Sequence, residues 1–169
     1  LKSLIRKGMR VRPPLRAPVT TRLTATRAKI RHFRNSRSFP QFWKARTEMP
    51  VRIIVCGGRD YADRARVFEV LDHILLTRGI AEVIQGECPT GADRWAREWA
   101  LNRDVPLTRC RAEWENYGKR AGPIRNRYML TLKPDGVVAF SGGRGTLDMI
   151  TAAQEAGVPV YRPSPSGQI

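Results

Sequence analysis

Residues 138–149, VAFSGGRGTLDM, pass from an apolar run through three glycines and an arginine into an amphipathic stretch. The run reads as a buried strand, and the amphipathic stretch reads as the first turns of a helix. Between them, Gly142, Gly143, Arg144 and Gly145 form an elbow. Such an elbow serves either as a tight packing turn or as a cradle for an anionic ligand, since glycine lets backbone N–H groups approach closely. The rest of the chain has to decide between the two.

The same strand–turn–helix pattern recurs on either side. VRIIVC, 51–56, is a β-branched run ending at Gly57-Gly58, and ADRARVFEVLDHILLTRG, 62–79, places Val67, Leu71 and Leu75 on one helical face. Gly79 is its natural stop. AEVIQG is a short strand, and PTGADRWAREWALNR is a helix with Thr90 and Asp93 in a capping-box pattern. VPLTRC is a third strand. A helix then runs from Pro123 to about Leu132, followed by the strand GVVAF, the helix TLDMITAAQEAG and the strand VPVYRP. Five short apolar strands separated by helices predict an α/β fold. The sheet is doubly wound and mostly parallel, with helices on both faces.

The 169 residues and 41% hydrophobic content suffice for one domain with a core. The net charge of +16 is unevenly spread, because residues 1–49 hold 14 of the 31 Lys and Arg and a single acid, Glu48. Residues 1–48 therefore read as a basic, disordered arm or an upstream extension, and 49–169 as the domain. Met49-Pro50 stands directly before the first clear strand, which favours Met49 as the functional start. An arm that binds nucleic acid or a membrane surface, and a transit peptide, are the competing readings of 1–48. Cys56, Cys88 and Cys110 are widely spaced and odd in number, so neither a disulfide framework nor a metal site is expected. No apolar run approaches the ~20 residues of a membrane span, and a cytoplasmic setting is expected.

In folds of this class, ligands bind beyond the carboxyl ends of the strands. At the first such end, Gly57, Gly58, Arg59 and Asp60 read either as a solvated turn or as an anion fork beside a carboxylate. At the second, GECPTGAD with Gly91 precedes a helix N-terminus. The third, WENYGKRAGPIRNRYM at 114–129, carries Trp114 and Tyr117, which offer a stacking face, and Arg125. With Pro123 as first helical residue, Arg125 opposes the helix dipole, so its removal is expected to cost little stability. Pairing of that arginine with Glu113 or Glu115 is the alternative. At the elbow, Thr146 can cap the last helix and Asp148 suits its first turn. The elbow is neither a Walker loop nor a dinucleotide fingerprint. His32 and His73 lie away from every strand end, so acid–base chemistry would fall to Asp60, Glu87, Asp148 or Tyr117.

Taken together, VCGGRDY, PTGADRWAREWA, AGPIRNRYM and FSGGRGTLDM resemble the YspA-related branch of the SLOG superfamily, over about residues 51–162. The resemblance implies a Rossmann-like fold and a nucleotide or nucleotide-derived ligand at the strand ends, in a sensor or processing role without a cofactor. Relatives include the LOG phosphoribohydrolases and the Smf/DprA proteins, which bind single-stranded DNA. Against the LOG patterns R-K-x-x-M and P-G-G-x-G-T-x-x-E, Arg125, Asn126 and Met129 match the first, and Gly142, Gly143, Gly145 and Thr146 the second. Ser141 replaces the proline, and Met149 stands where the catalytic glutamate would be. The resemblance thus implies a phosphate site made by Gly57, Gly58, Arg59, Gly91, Arg125, Asn126 and the Gly142–Thr146 elbow. Asp148 or Asp60 would serve as catalytic carboxylate in an N-glycosidic or phosphoribosyl hydrolysis. Efficient cytokinin-type hydrolysis is not expected. A DNA-binding module using residues 1–48 is the alternative, and a homo-oligomer is open.

Overall fold

The computed structural model describes residues 49–164 together with Val11 and Arg12. The remainder of residues 1–48, and with it any nucleic-acid tether, lies outside the described residues. In chain order the elements are β1 (Val11–Arg12), β2 (Val51–Cys56), α1 (Arg64–Arg78), β3 (Ile80–Gln85) and α2 (Gly91–Asn102). Next come β4 (Leu107–Cys110), α3 (Trp114–Tyr117), a 3₁₀ turn (Gly118–Arg120) and α4 (Ala121–Thr131). β5 (Gly136–Ala139), α5 (Arg144–Glu155) and β6 (Val160–Tyr161) complete the fold.

One sheet has the order β1-β4-β3-β2-β5-β6. Strands β2 to β6 are all parallel, and β1 pairs antiparallel with β4 at one edge. Counted from β2, the parallel strands run 3-2-1-4-5, the Rossmann order, with its switch point between β2 and β5. The five body strands form as read from their apolar runs. The sixth, β1, comes from the basic segment, where no hydrophobic alternation announced it.

Alternation along the strands sends side chains to two cores. Ile53, Val55 and Val83 face α1 and α2, packing on Val67, Leu71, Ile74, Ala96 and Trp99. Ile54, Ile84 and Val137 face α4 and α5, packing on Met129, Met149, Ile150 and Ala153. Each fully buried Val, Leu, Ile or Met side chain among these contributes roughly 1.5–3 kcal/mol. Asp63 caps α1 by accepting from the Arg66 amide at 2.9 Å, and Gly79, with φ +74°, ends it. Trp99 is wholly buried and donates its indole N–H to Asp72 Oδ1 at 2.9 Å. Among the described residues, no helix is long and apolar enough to cross a membrane.

The helix that begins near Pro123 departs from expectation. Chain from Gly118 enters it through the 3₁₀ turn, so α4 starts at Ala121 and Arg125 falls in its second turn. The dipole disfavours a cation less there than in the first turn.

Candidate functional site

The ends of β2 and β5 meet at the switch point. Phe140 donates its amide to Cys56 O and Gly58 to Ser141 O, both at 2.9 Å. A Cβ on Gly142 would lie 2.5 Å from Gly58 N and also strike Thr146 Oγ1, so only glycine lets the two turns close on each other. Gly57, Gly58 and Gly142 are thus brought together.

Beyond this contact the elbow is open. Residues 141–145 are exposed, and a Cβ on Gly143 or Gly145 would meet nothing within 4 Å. Among the described residues, the amides of Gly142, Gly143, Arg144 and Gly145 donate to no acceptor. They lie at the N-terminus of the 12-residue helix α5, where the macrodipole adds to their attraction for an anion. Thr146 is buried and makes no cap bond; Gly143 is the N-cap instead. A cavity of about 370 Å³ borders the elbow on its β6 side, lined by Phe140, Leu147, Ile150, Arg162 and Pro163 among others.

The turn after β3 is built in the opposite sense. Asp93, on the first turn of α2, is buried and accepts from the Cys88 amide at 3.1 Å and from that of Gly86. Gln85 Oε1 takes the Glu87 amide between them. Glu87 holds the left-handed φ of +57°, and its carboxylate pairs with Arg109 at 3.4 Å. Three consecutive amides therefore point at protein acceptors. Thr90 is the N-cap residue but makes no side-chain cap bond, because Asp93 turns back to the loop and no reciprocal capping box forms.

Burial pushes the Asp93 carboxyl above its ordinary range, opposed first by the Arg125 guanidinium and then by the two amides and Arg59. Arg125 donates Nη1–H to Gly86 O at 2.6 Å and Nε–H to Asn126 Oδ1 at 3.0 Å. It pairs with neither Glu113 nor Glu115. Its guanidinium thus sits at the end of β3, with the Gly57–Gly58 turn of β2 between it and the elbow in the strand order. Removing it would take the donor from Gly86 O and strip the buried Asp93 of the cation that most favours its charged form. The expectation that removing Arg125 costs little stability therefore gives way to a structural contribution.

Asn126 links α4 to the elbow, donating Nδ2–H to Gly145 O at 3.1 Å and to Asp148 Oδ2 at 2.7 Å. Arg127 donates to both Asp148 oxygens, at 2.7 and 2.8 Å. Asp148 is thereby bound up in a clasp between α4 and α5. Met149 is 1% exposed in the core behind the elbow, so the position matched to the relatives' glutamate faces away from solvent. Arg144 and Asp60 are exposed at the rim. Arg59, also exposed, lies with Cζ 5.6 Å from the ring centroid of Trp114. Gly91, with φ +67°, fits beneath: a Cβ there would strike Gly58 O and come within 2.8 Å of Arg59 Cα.

Burial raises the Cys56 and Cys110 thiols to about 12, which keeps both protonated and unreactive. The residue that sequence reasoning missed is Asp93. An acid three residues after Thr90 reads as a helix cap, and its tertiary bonds leave no local signal.

Similar proteins are known in sequence and in structure. The model of the YspA, cpYpsA-related SLOG family matches residues 51–117, from β2 through α3. Gene 61 protein of Mycobacterium phage D29 is 35% identical over 118 residues, spanning 64% of this chain and 93% of that protein. Phosphoribosylglycinamide formyltransferase from Coxiella burnetii, solved in complex with CHES, is 15% identical with a TM-score of 0.37. That match covers 57% of this chain and 43% of the formyltransferase.

Proposed function

The chain belongs to the YspA, cpYpsA-related SLOG family, and from that premise we propose that it binds a nucleotide-derived ligand whose phosphate rests on the Gly142–Gly145 elbow. The observation that carries this reading is the set of four solvent-facing amides at the N-terminus of α5, beside the switch point. A dianion there satisfies donors that the first turn of any helix leaves unpaired. Arg144 stands on the same turn. Arg125 supplies further N–H donors that have no partner among the described residues.

Recognition without turnover is the form of this function that we adopt. Hydrolysis of an N-glycosidic bond needs a carboxyl group free to move a proton. Asp148 is engaged by Arg127 and Asn126, and Asp60 is exposed at the rim. Met149, being in the core, offers no proton in place of the relatives' glutamate. These placements support a sensor-like domain over a phosphoribohydrolase.

The test is calorimetric titration of a nucleoside monophosphate into the parent, Arg125→Ala and Gly143→Val. Gly143 has open space around it, so valine leaves the fold intact while covering the amides. Both variants are expected to lose affinity, Arg125→Ala by about 2–5 kcal/mol for a desolvated charge pair. Unchanged affinity in both would put the ligand elsewhere and leave the elbow as a packing turn.

A further inference from the structure

We propose that Trp114, faced by Arg59, is the platform on which the heterocyclic base of that ligand stacks. This rests on the nucleotide reading above and adds to it the seat of the base. Helix α3 buries none of its four residues, and Trp114 is 49% exposed. Its ring is therefore not spent on the core, which is uncommon for the largest apolar side chain.

The ring is nevertheless held. The ring edge lies beside the first turn of α4, where a Cβ on Gly122 would be in ordinary contact with Trp114 Cη2 at 3.4 Å. Arg59 lies over the ring, and the Arg59 backbone is itself wedged against Gly91. Of the two residues after Gly57, Gly58 bonds to Ser141 of the elbow and Arg59 reaches the Trp114 ring. Phosphate seat and aromatic ring are thus both tied to the end of β2. A nucleotide spanning them crosses the switch point, where ligands of this sheet topology bind.

An indole paired with a guanidinium stacks any purine or pyrimidine, because every base has a π face. The platform accordingly recognises that a base is present rather than which base it is. The cavity that Ser141, Gly142, Thr146, Leu147, Ile150 and Arg162 line is the competing seat: it opens from the elbow toward β6, whereas Trp114 and Arg59 lie on the β2 side.

Intrinsic tryptophan fluorescence and calorimetry of the full chain test this, with AMP and ribose 5-phosphate as probes. The indoles of Trp95 and Trp99 are hydrogen-bonded inside the fold, and a Trp114→Phe control isolates the Trp114 signal from all others. The expected result is quenching by AMP that Trp114→Phe abolishes while keeping affinity within about threefold. Trp114→Leu should lower AMP affinity about 5- to 150-fold and leave ribose 5-phosphate binding unchanged. If Trp114→Leu binds AMP like the parent, the base lies elsewhere and the proposal falls while the phosphate site stands. Loss of AMP affinity in Arg162→Ala but not in Trp114→Leu would move the base to the cavity. If neither probe binds the parent, both readings fall together.

Discussion

After β3, the turn at Gly86–Cys88 delivers its amides to protein acceptors; after β5, the exposed elbow at Gly142–Gly145 leaves its amides without one among the described residues. Both turns leave parallel strands, both carry glycine, and both open onto helices of 12 residues. Sequence and dipole would rank them as equal anion sites. What separates them is one buried carboxylate. Asp93 occupies the place an external anion would take, and its desolvation is offset by the Gly86 and Cys88 amides and by Arg125. The elbow has no such internal anion among the described residues. A glycine-rich turn at a helix N-terminus is therefore a ligand site only when the protein has not already filled it.

The largest expected contrast lies in the glycines. Gly91→Ala combines a left-handed φ with a collision against the Gly58–Arg59 backbone, and should destabilise the fold by about 2–5 kcal/mol. Gly145→Ala, in open space inside α5, should instead gain about 0.5–1 kcal/mol. Urea denaturation of the two variants reads the difference. A Gly91→Ala variant as stable as the parent would mean that the β3 turn is no more closed than the elbow.

The carboxylates give the next contrast. Asp93→Ala leaves two part-buried amides without their acceptor and should cost about 1–3 kcal/mol. Asp148→Ala opens a part-exposed clasp and should cost about 1 kcal/mol. The pH dependence carries the sign. A carboxyl raised in the fold contributes stability that is complete below its ordinary 3.8 and is lost as pH rises through the raised value. Denaturation midpoints measured upward from pH 3.8 should therefore show a falling contribution in the parent that Asp93→Asn lacks. An identical profile in both proteins would place the Asp93 carboxyl in solvent.

The strands were legible because a strand buried on both faces is a continuous β-branched run, as VRIIVC and GVVA are. The elbow glycines were legible for the same local reason. The direction of Arg125 was not, since a long side chain goes where its tertiary partner is, and Gly86 is 39 residues distant in sequence. Positions 148 and 149 are one residue, about 100°, apart around a helix. Only packing revealed that Met149 turns into the core and that Asp148 is held by Arg127. The start of α4 moved from Pro123 to Ala121 because the preceding 3₁₀ turn feeds the helix without a capping side chain. β1 gave no signal in two residues of a basic segment.

The claim that one turn is filled and the other open is tested most directly by amide resonances. A ¹H–¹⁵N spectrum of the full chain, recorded while AMP is titrated, reads both turns at once. Progressive shifts are expected for Gly142, Gly143, Arg144 and Gly145, larger than any at Gly86, Glu87 and Cys88, which feel the ligand only through Arg125. Shifts at 86–88 with a silent elbow would overturn the contrast.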